Sequence, residues 1–232
     1  MNDGWHPQII PSQAACSART ASMRHAPANP PLFTPATTTH VLYLHGFRSS
    51  PQSTKAQQMA RVMATRFAHL TWWCPQLPPS PKAAAQLIQA GTADWPAHRM
   101  AVIGSSLGGF YATWLAAQRG CKAVLLNPAI DPARDLAKYI GEQSTWHNPA
   151  ERFYFAPEFV DELRALEVGP MPNPKKVWAL IAKGDEVLDW REMTARYPGS
   201  PQVVMEGGDH ALSDFETYLP QVMEFLDLQA SA

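Results

Sequence analysis

From residue 39 onward, short apolar runs alternate with stretches of helical period. The runs fall near 40–44, 70–74, 100–104, 122–126, 177–182 and 202–206, and each has the length of a strand. Apolar residues at helical spacing occupy 54–68, 81–90, 107–119, 190–196 and 214–227. Strands that alternate with helices imply βα units and a parallel sheet, so the pattern predicts an α/β fold: six parallel strands with helices on both faces. In the doubly wound order 2-1-3-4-5-6, the first and third strands are neighbours at the topological switch point. A crevice opens there beyond their carboxyl ends.

Two segments depart from the alternation. Residues 1–38 contain Pro7, Pro11, Pro27, Pro30, Pro31 and Pro35 among scattered small polar residues and show no apolar period, which predicts a disordered extension. They hold no basic start followed by an apolar stretch of the kind that directs secretion, and Met23 is a candidate true start. The second segment, about 130–173, is longer than an ordinary connection and carries Tyr139, Trp146, Phe153, Tyr154, Phe155 and Phe159. It predicts a partly helical cap over the sheet's tip. Its aromatics are read mainly as the cap's own packing, with some left to line a substrate pocket.

The third strand runs directly into Gly104-Ser105-Ser106-Leu107-Gly108 and then a helix. A G-x-S-x-G run in that context holds its central residue in a sharp turn, with glycines where strand and helix approach too closely for a side chain. Ser106 is thus presented at the strand's tip. The Leu107 N–H, at the helix N-terminus, is placed to receive a developing oxyanion.

A serine hydroxyl is a poor nucleophile until an imidazole accepts its proton, and the imidazole needs a carboxylate at its other nitrogen. Both types follow at later strand ends. His210 lies in Glu206-Gly207-Gly208-Asp209-His210 after the sixth strand, whereas His6, His25, His40, His69, His98 and His147 sit in segments read as solvated surface. Three carboxylates follow the fifth strand. Asp189-Trp190-Arg191-Glu192 reads as a helix-capping box, while Asp185 follows Gly184 immediately beyond the strand and is favoured over Glu186 and Asp189. Ser213-Asp214-Phe215-Glu216 reads as a second capping box, opening the last helix. A second oxyanion donor is expected from the loop after the first strand, His45-Gly46-Phe47, at the Phe47 N–H, with His45 bracing the loop.

Composition narrows the partners. Nineteen basic residues face 20 acidic ones in 232, with no basic stripe or charge block, so neither nucleic acid nor an anionic membrane is indicated. No apolar run is long enough to span a bilayer. Cys16, Cys74 and Cys121 have neither the even count nor the close spacing of a disulfide framework or a metal site, which fits a reducing, cytoplasmic setting.

Six segments carry a family resemblance: His45-Gly46-Phe47-Arg48-Ser49-Ser50-Pro51, Pro75-Gln76-Leu77-Pro78-Pro79, Gly104 to Gly109, Asn127-Pro128-Ala129, Gly184-Asp185-Glu186-Val187-Leu188-Asp189 and Glu206 to His210. In this order and spacing, over about residues 40–228, the chain resembles the YqiA-like esterases, small cytoplasmic α/β-hydrolases. The resemblance implies an α/β-hydrolase fold, a Ser106, Asp185, His210 triad and hydrolysis of carboxyl esters or acyl thioesters. It implies no metal or organic cofactor, leaves residues 1–38 unmatched and leaves the natural substrate open. A small-molecule acyl ester or thioester is the expected partner, with carboxyl esters of short to medium acyl chains the leading substrate. An acyl-CoA thioesterase, a peptidase or amidase, and a non-catalytic binding module on the same scaffold are the alternatives.

Overall fold

The computed structural model describes residues 37–230. The extension expected to be disordered, and Cys16 with it, lies outside the described residues apart from residues 37 and 38. Within them, Thr38 is already buried, and the Thr39 N–H donates to the Arg99 carbonyl at 2.8 Å.

Among the described residues, eight strands form two sheets. The main one contains β1 (His40–Leu44), β2 (Thr71–Trp73), β3 (Met100–Ser105), β4 (Lys122–Leu126), β7 (Val177–Ala182) and β8 (Gln202–Met205). All its pairings are parallel and its order is β2-β1-β3-β4-β7-β8, the 2-1-3-4-5-6 order expected from sequence once the two extra strands are numbered in. The register aligns the tips: Leu44 pairs with Gly104, Ser105 with Leu126, and Leu126 with Leu180. Residues just beyond β1, β3, β4 and β7 are therefore brought to one edge.

Because side chains alternate across a strand, each run feeds two cores. Val41, Tyr43, Ala101, Ile103, Val124 and Leu126 pack beneath α1 (Thr54–Arg66) and α7 (Leu219–Phe225) through Met59, Met63 and Val222. Leu42, Leu44, Val102, Leu125, Ala179 and Ile181 pack against the opposite layer, including α2 (Pro81–Gly91), α3 (Leu107–Arg119) and α6 (Trp190–Arg196). Burial on both faces is why these strands read as near-continuous apolar runs. Among the described residues, no helix is long and apolar enough to cross a membrane.

The segment between β4 and β7 contains α4 (Pro132–Leu136), an antiparallel hairpin of β5 (Gly141–Ser144) and β6 (Arg152–Phe155), and α5 (Glu158–Ala165). The helices match the expectation; the hairpin is additional. Arg134 in α4 forks onto both Glu192 oxygens, at 2.9 and 2.7 Å, tying this segment to α6.

The C-terminal helix is shorter than expected. A 3-10 turn covers Phe215–Tyr218 and α7 begins only at Leu219, with Pro220 in its first turn. The expected box at Ser213 does not cap it. Ser213 instead gives its N–H and hydroxyl to the Asp209 carboxylate, at 2.9 and 2.6 Å.

Candidate active site

Ser106 sits at φ 55° and ψ −121°, a left-handed backbone that an ordinary side chain adopts only under restraint. The restraint is visible. Its N–H donates to the Leu126 carbonyl at 3.0 Å, and its own carbonyl accepts from Gly109 and Ala129 at 2.8 and 3.0 Å. A methyl on Gly104 would stand 2.2 Å from the Gly108 carbonyl oxygen, and one on Gly108 would stand 2.0 Å from that of Leu44. The glycines are required because β1, β3 and the first turn of α3 meet there in direct backbone contact.

Loops beyond β7 and β8 bring the other two groups to this turn. His210 Nε2 accepts from the Ser106 hydroxyl at 3.0 Å, and its Nδ1–H donates to Asp185 Oδ2 at 2.8 Å. The Asp185 side chain is fully buried, and its Oδ1 accepts the N–H groups of Val187 and Leu188, both at 2.8 Å. The rival carboxylates are engaged elsewhere. Glu186 Oε2 accepts the His210 backbone N–H at 3.0 Å, and Asp189 caps α6 by accepting from the Arg191 N–H at 2.9 Å. The two loops lie so close that a methyl on Gly184 would meet the Gly208 carbonyl oxygen at 2.2 Å.

Asn127, quoted in the sequence only as part of a motif, joins these loops. It is fully buried at φ 41°. Its Oδ1 accepts the Ala182 N–H at the end of β7 at 2.8 Å, while its Nδ2 donates to the Asp209 carbonyl at 3.0 Å. One amide thus fixes the roots of the acid loop and the histidine loop together. Lys55 escaped notice in the sequence, where a lysine in a helix's first turn reads as a solvated residue. Its ammonium donates to the Ala211 carbonyl.

The two expected oxyanion donors flank the serine. Leu107 opens α3, and Phe47 follows Gly46, whose position is tight enough that a methyl there would lie 3.1 Å from Ser106 Cβ and 3.5 Å from its Oγ. Among the described residues, neither the Leu107 nor the Phe47 N–H is used in another hydrogen bond. His45 braces their loop: Nδ1–H donates to the Gly46 carbonyl and Nε2 accepts from the Leu77 N–H, each at 3.0 Å. Burial lowers its pKa to about 4, so the ring is neutral at ordinary pH. The Phe47 ring packs against Phe155, Tyr139 and Phe153 at centroid distances of 5.3, 5.6 and 5.9 Å. Aromatics read mainly as internal packing of the cap therefore also hold this loop.

Two clefts meet at Gly46 and Phe47. One, of about 550 Å³, is lined by Ser106, His210, Tyr43, Lys55, Glu186 and Trp146 among others. The other, of about 320 Å³, is lined by Leu107, Tyr111, Leu77, Arg48 and Phe153. His147 is exposed, as expected from the sequence, and lines the larger cleft. Among the described residues, no three His, Cys, Asp or Glu side chains gather as a metal-binding group.

The sheet order and the serine-bearing turn between β3 and α3 define an α/β-hydrolase fold. More specifically, the chain belongs to the uncharacterised protein family UPF0227, the family of the YqiA-like proteins, whose profile matches residues 40–227. Solved structures agree on the fold. A putative hydrolase from Agrobacterium vitis superposes with a TM-score of 0.65 at 17% identity, covering 82% of this chain and 90% of its own. Alpha/beta hydrolase domain-containing protein 10 from mouse does so with a TM-score of 0.64 at 15% identity, over 83% and 91%. An esterase from Pyrococcus furiosus gives 0.53 at 17% identity, over 82% and 80%.

Proposed function

We propose that the protein is a serine hydrolase that cleaves carboxyl esters of short to medium acyl chains through an acyl-enzyme intermediate. The observation that carries this proposal is the unbroken hydrogen-bond chain from the Ser106 hydroxyl through both His210 nitrogens to the buried Asp185 carboxylate, at 3.0 and 2.8 Å.

In this mechanism, Ser106 Oγ attacks the acyl carbon while His210 Nε2 takes its proton. Asp185 holds the ring in the tautomer with Nδ1 protonated and stabilises the imidazolium. The Leu107 and Phe47 N–H groups receive the oxyanion, and removing one such donor typically costs about 3 kcal/mol of transition-state stabilisation. Collapse expels the alcohol, which takes the proton from Nε2. Water, deprotonated by the same nitrogen, then attacks the acyl-serine and releases the acid.

The smaller cleft, on the Leu107 side, suits the acyl chain. Its apolar walls, Leu77, Tyr111 and Phe153, match a hydrocarbon tail. Free thiols at Cys74 and Cys121 fit a reducing, cytoplasmic setting.

Hydrolysis of para-nitrophenyl butyrate by wild-type protein and by Ser106→Ala tests the proposal. Loss of several powers of ten in rate is expected for the variant. Unchanged turnover would exclude Ser106 as nucleophile. The same assay over acyl length, with oxygen and sulfur esters, separates esterase from thioesterase.

A further inference from the structure

A cation that forms no ion pair among the described residues lines the larger cleft. Lys55, in the first turn of α1, lines the same wall as Ser106 and His210 and is half-buried. It donates to the carbonyl of Ala211, the residue after His210, which leaves two ammonium protons unassigned. Among the described residues Lys55 forms no ion pair. Asp209 and Asp185 favour its charged form from a distance, but Asp209 is bonded to Ser213, and Asp185 to His210 and two backbone amides. Burial lowers the ammonium's pKa to about 8, so at neutral pH it remains mostly charged. Burying a charge is costly unless a partner compensates.

The surrounding wall is rich in donors. Helix α1 opens into the cleft at Ser53 and Thr54, with no side chain capping its first amides and no acidic residue in its first turn. Tyr43, fully buried on β1, also lines the cleft, and its hydroxyl has no hydrogen-bond partner among the described residues; Ser105 lies beside it, out of bonding geometry. Burial pushes the Tyr43 pKa up, so the hydroxyl keeps its proton and can donate it. The acidic residue of the wall, Glu186, is committed to the His210 N–H.

The direction of the reaction assigns this cleft a role. His210 Nε2 must hand its proton to the departing oxygen, so the alcohol portion of an ester lies on the His210 side, against Lys55. Resting on the esterase function above, we infer that the leaving alcohol carries a carboxylate, held by the Lys55 ammonium, the Tyr43 hydroxyl and the first amides of α1. The substrate class is therefore acyl esters of hydroxy acids. In the net reaction the acyl carbon–oxygen bond breaks and a new one forms to the oxygen of water. One water proton passes through His210 to the departing alkoxide, giving a carboxylic acid and a free hydroxy acid.

The experiment compares kcat/KM of the full chain on butyryl esters of γ-hydroxybutyrate and para-hydroxybenzoate with kcat/KM on the corresponding primary amides, which lack the charge. Wild type is expected to favour the carboxylate esters by about tenfold or more, mainly through KM. Lys55→Met is expected to bring that ratio near one, and Lys55→Arg to retain most of it. Free γ-hydroxybutyrate is expected to inhibit wild type competitively and γ-hydroxybutyramide far less, a measurement that needs no variant. A wild-type ratio near one, or an equal slowing of both esters by Lys55→Met, would overturn the inference and leave Lys55 a brace for the histidine loop. The esterase proposal fails by a different result: no turnover of any ester, or turnover that survives Ser106→Ala.

Discussion

Phe47 meets Phe155 edge-on, with ring centroids 5.3 Å apart, so the loop carrying one proposed oxyanion donor is held by the hairpin between β4 and β7. Phe155 is fully buried and also contacts Phe159 of α5 at 5.5 Å. Phe155→Ala is expected to destabilise the fold by about 3–5 kcal/mol. It is also expected to lower kcat where the variant is still folded, because the Phe47 N–H loses its support. Urea denaturation and kcat measured in parallel check both effects, and a folded variant with full kcat would disconnect the hairpin from the chemistry.

Asn127 is expected to act as a positioning residue. Asn127→Ala leaves the buried Ala182 N–H without its side-chain acceptor, at a cost of about 1–3 kcal/mol, and frees the histidine loop from β4. A displacement of about 1 Å at a reacting group can cost 100-fold in rate, so a fall of about 10- to 100-fold in kcat is expected, with KM little changed. Asn127→Asp keeps the acceptor but loses the donor to the Asp209 carbonyl. It also buries an unpaired carboxylate against that carbonyl, so it is expected to recover neither stability nor kcat, which urea denaturation and kcat measured in parallel check.

How much of this was legible in the sequence depended on how local each signal was. Strands such as Met100–Ser105 and Val177–Ala182 are buried on both faces and read as continuous apolar runs, while the partly buried edge strands Thr71–Trp73 and Gln202–Met205 were readable from their place in the alternation with helices. The elbow was readable because direct backbone contact demands glycine at Gly104 and Gly108. The β5–β6 hairpin was not. Gly141-Glu142-Gln143-Ser144 has little strand propensity and gains its place through tertiary contacts, including Arg48, whose guanidinium donates to the Ser144 carbonyl at 2.6 Å. Ser213 and Asp214 carried a capping signature, but Asp209 claimed Ser213, a competition between neighbours that spacing alone does not reveal. Asn127 and Lys55 owe their importance to residues 82 and 156 positions away.

Acid stability follows from His45. A free imidazole begins to take up its proton as pH falls through about 6.5, whereas the buried ring resists protonation down to about 4. The unfolded chain thus binds more protons between these values, and stability rises with pH across that window, reaching its plateau above about 6.5. The full difference amounts to about 3 kcal/mol. His45→Gln is expected to flatten this part of the curve of unfolding free energy against pH. Retention of the full wild-type slope in the variant would assign the acid sensitivity to other groups.

The most direct test of the central claim is covalent trapping. Folded wild-type protein treated with a fluorophosphonate is expected to gain a single adduct by intact-protein mass spectrometry, mapped to Ser106, formed more slowly in His210→Ala and absent in Ser106→Ala. Wild-type protein that stays unmodified, or a Ser106→Ala variant labelled as fast as wild type, would contradict the proposal that Ser106 is the activated nucleophile.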